Sequence, residues 1–250
     1  MGKNIDSRRD IILSMVNEYG SLDFQQLRDA FPNVSDVTLR KDLQYLNDTQ
    51  QAIRTHGGIK SIPSFLNYYY RSNINPDLKK TIASKAVKLI RPGDYIFVSA
   101  GTTCAQLAST LPSFPLSVCT DGIYTVNSIS AQPHISVELL GGDVDLNIMR
   151  TEGISTLNRL DSLHFSTAFL GAIYVNDDFG FAHNSAMTSA TLKKVIEHSD
   201  RTVVMVDSTK FNSTFCSHCI PFSMVDIVVS DDDLPAEMAD RLRSKGIEVI

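Results

Sequence analysis

The stretch SDVTLRKDLQYLNDTQQAIRTHGGIK, residues 35–60, decides how the first part of the chain folds. Leu39, Leu43 and Leu46 recur at i, i+4 and i+7, the spacing of one buried stripe on a helix, and Ser35 stands where an N-cap side chain receives a free amide. The following IRTHGGIK predicts a tight hairpin turning on Gly57-Gly58. Toward the N-terminus, Ile11, Ile12, Met15 and Val16 lie at helical spacing ahead of Gly20, and Phe24, Leu27 and Phe31 form a second short stripe closed by Pro32. Three helices and a hairpin within residues 1–60 predict a winged helix-turn-helix. With the leucines inward, about 100° per residue turns Lys41, Gln44 and Asp48 outward and sets Thr38 and Arg40 on the flanks. Two basic residues alone describe a solvated helix face. The whole layout points instead to double-stranded DNA: Ser35, Thr38, Arg40, Lys41 and Gln44 at a major groove, and Arg54, His56, Gly57, Gly58 and Lys60 in a wing against the backbone. Asp36, Asp42 and Asp48 lower the net charge of this helix, so affinity is expected to rest on few phosphates and on dimerisation.

Around that head, the chain of 250 residues is 43% apolar and 20% charged, a globular composition that excludes disordered and collagen-like classes. Residues 1–60 hold eight basic and eight acidic residues, so the net charge of −5 belongs to the remainder. That distribution argues against a general polyanion binder and leaves room for a local basic face. No apolar run reaches the ~20 residues of a membrane helix, and MGKNIDSRRDIILSM carries charges where a signal peptide needs an apolar segment. Four cysteines make no disulfide framework. The expectation is a cytoplasmic protein without membrane contact.

Residues 61–75, with Pro63, Phe65 and the Tyr68-Tyr69-Tyr70 run, read as a linker ending at Pro76. From 76 to 250, short β-rich runs (DYIFV, LSVCT, ISVELL, STAFLGA, RTVVMV, DIVVS, IEVI) alternate with helical stretches, which predicts a larger α/β domain with a mostly parallel sheet. Ser99-Ala100-Gly101-Thr102-Thr103 follows the first strand and opens a helix, where free amides and two hydroxyls suit an anion. Thr120, Asp121, Gly141 and Gly142 lie beyond the next strands, and Asp207 and Lys210 follow RTVVMV. A Gly-Thr-Thr turn alone is an ordinary helix start. Four polar or glycine-rich loops at four strand ends predict a ligand crevice along one sheet edge. Cys216-Ser-His218-Cys219 lacks a second pair to complete a zinc site, and Asp231-Asp232-Asp233 reads as a turn before Pro235. No metal, cofactor or catalytic residue is expected.

Ser35-x-x-Thr38-Leu39-Arg40-Lys41-Asp42-Leu43-x-x-Leu46 followed by Arg54-x-His56-Gly57-Gly58 resembles the winged helix-turn-helix of the DeoR family of bacterial regulators, with Lys41 where arginine is usual. Gly93-Asp94, Gly101-Thr102-Thr103, Leu140-Gly141-Gly142, Gly171, Gly180 and Asp207-Ser208-x-Lys210-Phe211 follow in the family's order. Lys80-Thr81-Ile82-Ala83 resembles its E-K-x-x-I-A signature imperfectly, with Lys79 at the glutamate and the isoleucine one residue early. The resemblance implies a sugar-phosphate isomerase-like sensor domain and a transcriptional regulator, most simply a repressor of a carbohydrate operon. It also implies a phosphorylated sugar or polyol as effector and a homo-oligomer, dimer or tetramer. Three departures stand out: Ser99 where aspartate is usual, Asp121 where asparagine is usual, and Ser189 where glutamate is frequent. Loss of the aspartate removes a carboxylate base and argues against catalysis. The alternatives are a sugar-phosphate isomerase or deaminase with an accessory N-terminal domain, and an interaction module whose sensor has lost its ligand.

Overall fold

The computed structural model describes residues 2–48, 52–61, 68–129, 132–146, 148–183, 185–211 and 218–250; Pro63, Phe65 and Cys216 lie outside them. The chain divides into two compact units, residues 1–70 and 71–250.

In the first unit, α1 (Gly2–Tyr19), β1 (Ser21–Asp23), α2 (Phe24–Ala30), α3 (Asp36–Asp48), β2 (Ala52–Thr55) and β3 (Gly58–Ser61) follow in order. Ile12 and Val16 of α1 meet Leu27, the three leucines of α3, and Leu22, Ala52 and Ile59 of the strands in one apolar core. Local chemistry sets the helix starts. Asp23 caps α2 in a reciprocal capping box with Gln26, and Ser35 Oγ accepts the Thr38 amide at 3.3 Å.

The hairpin differs from the expectation in one respect. Its two-residue turn is His56-Gly57, with Thr55 paired opposite Gly58, so Gly58 is the first residue of β3 rather than part of the turn. The reason is β1, a third strand that the sequence did not announce because three residues between helices show no periodicity. β1 pairs antiparallel with β3, and Asp23 lies opposite Gly58. A side chain at 58 would place its Cβ 2.1 Å from the Leu22 carbonyl oxygen and 2.8 Å from Asp23 Cα. Only glycine admits that approach.

α4 (Tyr68–Ser72) spans the division between the units, and the second unit continues with α5 (Pro76–Ala86), then β4 (Tyr95–Val98), α6 (Thr102–Ser109), β5 (Leu116–Thr120), α7 (Ile123–Ile129) and β6 (Ile135–Leu139). An antiparallel ribbon of β7 (Asp143–Asp145) and β8 (Arg150–Glu152) leads to α8 (Ile154–Leu160) and β9 (Thr167–Gly171). A second ribbon, β10 (Tyr174–Asn176) with β11 (Gly180–Ala182), precedes α9 (Ala186–Glu197), β12 (Thr202–Met205), β13 (Ile227–Val229), α10 (Ala236–Ser244) and β14 (Glu248–Val249). Seven strands form one sheet in the order β6-β5-β4-β9-β12-β13-β14, every neighbour parallel.

Alternation along the strands divides the core in two. Ile96, Val98, Val118, Val203 and Met205 pack with residues of α5, α6 and α7 on one face. Phe97, Cys119, Leu170 and Val204 pack with residues of α8, α9 and α10 on the other. The chain leaves β4 toward β5 and β6, then returns through β9 toward β14, so strand order reverses between β4 and β9. In open α/β sheets the crevice beyond the C-terminal strand ends at such a reversal is where ligands bind.

Gly58→Ala is expected to destabilise the chain by about 1–3 kcal/mol in denaturant unfolding, as overpacking does. Gly57→Ala, at a position with no atom within 4 Å of the added Cβ, is the control expected to change little.

Candidate functional site

Two candidate surfaces emerge, one in each unit. On α3, Asp42 lies beside the leucine stripe and not with the outward Lys41, Gln44 and Asp48. It is buried, and its carboxylate receives Arg8 Nε at 2.6 Å and Arg9 Nε at 2.9 Å. This corrects the expectation that all three aspartates weaken the DNA-facing surface, because the Asp42 charge is spent inside the head. Val37, Arg40, Lys41 and Tyr45 are exposed together with Asp36 and Asp48, and Thr38 and Gln44 are half-buried. Val37 and Tyr45 escaped the sequence reading because apolar residues are assigned to the core by default. The Arg40 guanidinium lies 4.6 Å over the Phe24 ring, which directs it along the α2–α3 side. Gln44 accepts from Arg54 Nη1 and donates to Asp48 at 2.7 Å, and the Arg54 amide donates to Asn47 Oδ1 at 3.0 Å, so helix and wing are fastened together. His56, Gly57 and Lys60 are exposed on the wing, whereas Gly58 is buried and structural. Ser35 caps the helix and leaves it exposed at the N-terminal turn.

In the second unit the strand-end loops converge at the β4/β9 reversal. Gly101 precedes α6, whose first amides, those of Thr102, Thr103 and Cys104, have no acceptor in the preceding turn. Thr102 and Thr103 are half-buried and Ser99 is buried, its amide donating to Phe169 O at 2.9 Å. Cys104 underlies the loop, buried, and burial pushes its thiol up to about 12, which makes it inert as a nucleophile. Thr120 is a structural tie: its hydroxyl donates to Val98 O at 2.5 Å and accepts the Gly122 amide at 2.9 Å.

Asp121 is wholly enclosed. Its Oδ1 accepts the Ala100 amide at 2.6 Å, its Oδ2 accepts from Arg150 Nη2, and its carbonyl accepts the Thr151 amide at 2.8 Å. Gly141 is exposed. Gly142 has φ of +130°, and a Cβ there would stand 2.4 Å from Glu152 O, so its role is to let β6 end against β8. Asp207 is buried and accepts the Thr209 amide at 3.2 Å as well as its hydroxyl. Lys210 is half-buried at the rim, 5.9 Å from the Tyr174 ring. Asp231 accepts the Ser208 amide at 2.7 Å and the Asp233 amide at 3.0 Å, which assigns the acidic triplet to the turn below that rim. Among the described residues no group of three or more His, Cys, Asp or Glu could hold a metal ion.

The comparisons with known proteins agree over the whole length. Residues 8–65 match the DeoR-like helix-turn-helix domain, and residues 74–232 match the DeoR C-terminal sensor domain. A lactose phosphotransferase system repressor of Staphylococcus epidermidis is 30% identical over 97% of this chain and 98% of its own. The chain belongs to the DeoR family. The HTH-type transcriptional regulator YulB of Bacillus subtilis, itself uncharacterized, is 29% identical over 98% of this chain and 96% of its own. An L-fucose operon activator of Haemophilus influenzae is 25% identical over 91% and 92% respectively. A solved ribose 5-phosphate isomerase A from Methanocaldococcus jannaschii is 22% identical over 55% of each chain, at a TM-score of 0.40.

Within this DeoR-family chain the structure revises the signature around α5. Lys79 is buried and Lys80 exposed, and counted from Lys79 the spacing is K-x-x-I-A, as the family has it. Two adjacent lysines cannot be told apart in sequence; burial distinguishes them. Burial, opposed by Asp207 and reinforced by Lys210 and Arg71, lowers Lys79 to about 8.

The departure at Asp121 acquires a reason too. Asparagine would accept the Ala100 amide equally well but would leave the buried Arg150 guanidinium without a counter-charge. Arg150 Nε, Glu152 Oε2, His183 Nε2 and Ser189 Oγ are each buried without a hydrogen-bond partner among the described residues. Burial, with repulsion from Arg150 and Lys193, lowers His183 to about 3, so its ring is neutral at physiological pH. None of Arg150, Glu152 or His183 was legible as a site residue, because no motif contains them.

Arg150→Met is expected to cost about 3–5 kcal/mol in denaturant unfolding, since it strands the Asp121 carboxylate in the interior. Asp121→Asn combined with Arg150→Met removes both charges and is expected to recover part of that loss; a double variant no better than the single would show that the pair does not act as a unit.

Proposed function

We propose that this DeoR-family chain is a transcriptional regulator. Its α3–wing face binds a double-stranded DNA operator, and its strand-end rim binds a phosphorylated sugar or polyol that changes operator affinity. The observation that carries the reading is the pairing of two independent surfaces in one chain: a face of exposed Arg40, Lys41 and Arg54 with half-buried Thr38, and a rim of helix-start amides, Thr102, Thr103 and Lys210 at a strand-order reversal. The Staphylococcus epidermidis relative is named as a repressor in a sugar system, which supports repression of a carbohydrate operon here. The head is assigned to residues 1–60, the linker to 61–75 and the sensor to 76–250. Action as a dimer or tetramer follows from a head with no net charge, which engages few phosphates by itself. A regulatory rather than enzymatic role is supported by Asp121 and Asp207, the two rim carboxylates, which are both committed to holding loops. Among the described residues no helix is long and apolar enough to cross a membrane.

The test has two arms. In a thermal-shift screen of the full chain against phosphorylated sugars and polyols, one compound is expected to stabilise it while its unphosphorylated form does not. Thr102→Ala with Thr103→Ala is expected to abolish that shift and spare DNA binding. Turnover of the stabilising compound would instead favour an isomerase.

For the head, duplexes selected from a random-sequence pool supply the operator. Arg40→Ala or Lys41→Ala is expected to weaken binding by about 1–3 kcal/mol for a base contact, or to lower the salt slope by about 1 for a phosphate contact. Unchanged affinity and slope in both variants would remove α3 from the interface.

A further inference from the structure

Buried polar atoms in a folded chain nearly always have a partner, and one left without it costs the fold its desolvation. The four orphaned atoms of the sensor unit belong to segments that end at one edge of the sheet. Arg150, His183 and Ser189 are only 3%, 5% and 4% exposed. Asp121 takes Arg150 Nη2, which leaves Nε without a partner among the described residues, and the other oxygen of that carboxylate accepts the Ala100 amide. Arg150 is thereby joined to the loop that opens α6, and its charge reaches the Cys104 thiol there. Glu152 ends β8. His183 follows β11, and the Ala182 carbonyl just before it accepts the Ile173 amide at 3.0 Å, two residues beyond the end of β9. Ser189 lies near the start of α9, which packs against β8 and β9.

The chemistry of these atoms restricts what can satisfy them. Arg150 Nε only donates and the ionised Glu152 carboxylate only accepts, whereas the neutral His183 ring and the Ser189 hydroxyl can meet either need. Burial raises the Glu152 carboxyl and Arg150 draws it back, while Asp145, Asp121 and Asp143 add repulsion. A carboxylate arriving at Glu152 meets that repulsion. At His183 the repelling charges are those of Arg150 and Lys193, and they act in the same way on an ammonium. A hydroxyl escapes both penalties, since it accepts from Arg150 and donates to Glu152 without carrying charge.

We propose that Arg150, Glu152, His183 and Ser189 form the subsite for the non-phosphorylated end of the effector, and that this subsite selects neutral hydroxyls over a carboxylate or an ammonium. The inference rests on the rim being the effector site, and it narrows the effector to a neutral polyol or sugar phosphate. Asp121 is the positioning residue: it holds one edge of the Arg150 guanidinium and leaves Nε for the ligand. The orphaned atoms are a stability cost carried by the unliganded fold, and an effector that pairs with them removes it. An acid or amine of the same length and phosphate position leaves part of that cost in place and adds a buried repulsion, so selection works by penalty as much as by attraction.

The test titrates the full chain by thermal shift at constant ionic strength. The probes are the 6-phosphates of glucitol, mannitol and galactitol, each beside the aldonate 6-phosphate and the 2-amino-2-deoxyhexose 6-phosphate of the same configuration. One alditol phosphate is expected to bind about tenfold more tightly than its charged counterparts, as buried like-charge contacts imply. A counterpart that binds equally well overturns the selectivity. Glu152→Gln keeps an acceptor and removes the charge, so it is expected to narrow the preference over the aldonate; a glutamate with a purely structural role would leave that ratio unmoved. His183→Leu and Ser189→Ala are each expected to weaken alditol binding about five- to tenfold, the worth of one hydrogen bond. Both are also expected to raise the melting temperature of the unliganded chain by about 2–4 °C, because each removes an orphaned polar atom. A lower melting temperature with unchanged affinity would show that these groups serve the fold, and the subsite falls. If both variants bind like the wild type while the Thr102/Thr103 double variant does not, the rim reading stands and the hydroxyl subsite is excluded. If none of the compounds stabilises the wild type, both readings fall.

Discussion

One enclosed carboxylate fixes three loops of the sensor unit at once. Asp121 reaches the loop after β4 through the Ala100 amide, reaches β8 through Arg150 and through the Thr151 amide, and itself ends β5. Burying a charge away from water is costly, and here the Ala100 amide on one carboxylate oxygen and the Arg150 counter-charge on the other offset it. What results is a set of strand ends locked in register around the β4/β9 reversal, with the start of α6 held open toward the crevice. Thr120 and Gly142 serve the same end from either side, one by tying β5 to β4 and the other by admitting the close approach of β8. A ligand that meets this rim meets amides and hydroxyls already in position, so little ordering remains to be done on binding.

How much of this was legible depended on whether the information was local. The leucine period of α3, the cap at Ser35 and the alternation of strands with helices in the sensor are properties of neighbouring residues, and they gave the right elements. The seven strands of the sheet were all foreseen. The short helices α7 and α8 and the two ribbons were not, since seven residues of IYTVNSI or three of a ribbon strand are too few to show a period. Gly57-Gly58 suggested a symmetric turn, but the constraint on Gly58 comes from β1, more than thirty residues upstream. Polar residues at the rim followed the same rule: Thr102, Thr103 and Lys210 sit in strand-end motifs, whereas Arg150 and His183 acquire their meaning from groups distant in sequence. Whether a charge is buried is a tertiary property, and a run such as Lys79-Lys80 carries no local trace of it.

The head shows the same dependence in reverse. Asp42 looks in sequence like one more acidic residue on a surface helix, yet with Arg8 and Arg9 it ties α3 to α1 beneath the exposed face. Charges that hold the helix in place are thus distinct from charges that it displays. Val37 and Lys41 can be exchanged without disturbing a core contact or the Asp42 pairing, whereas the Tyr45 ring carries the Arg9 guanidinium at 3.7 Å and belongs to that pairing. After gene duplication, a copy of such a head can drift to a new operator by surface substitutions alone, passing through no intermediate that fails to fold.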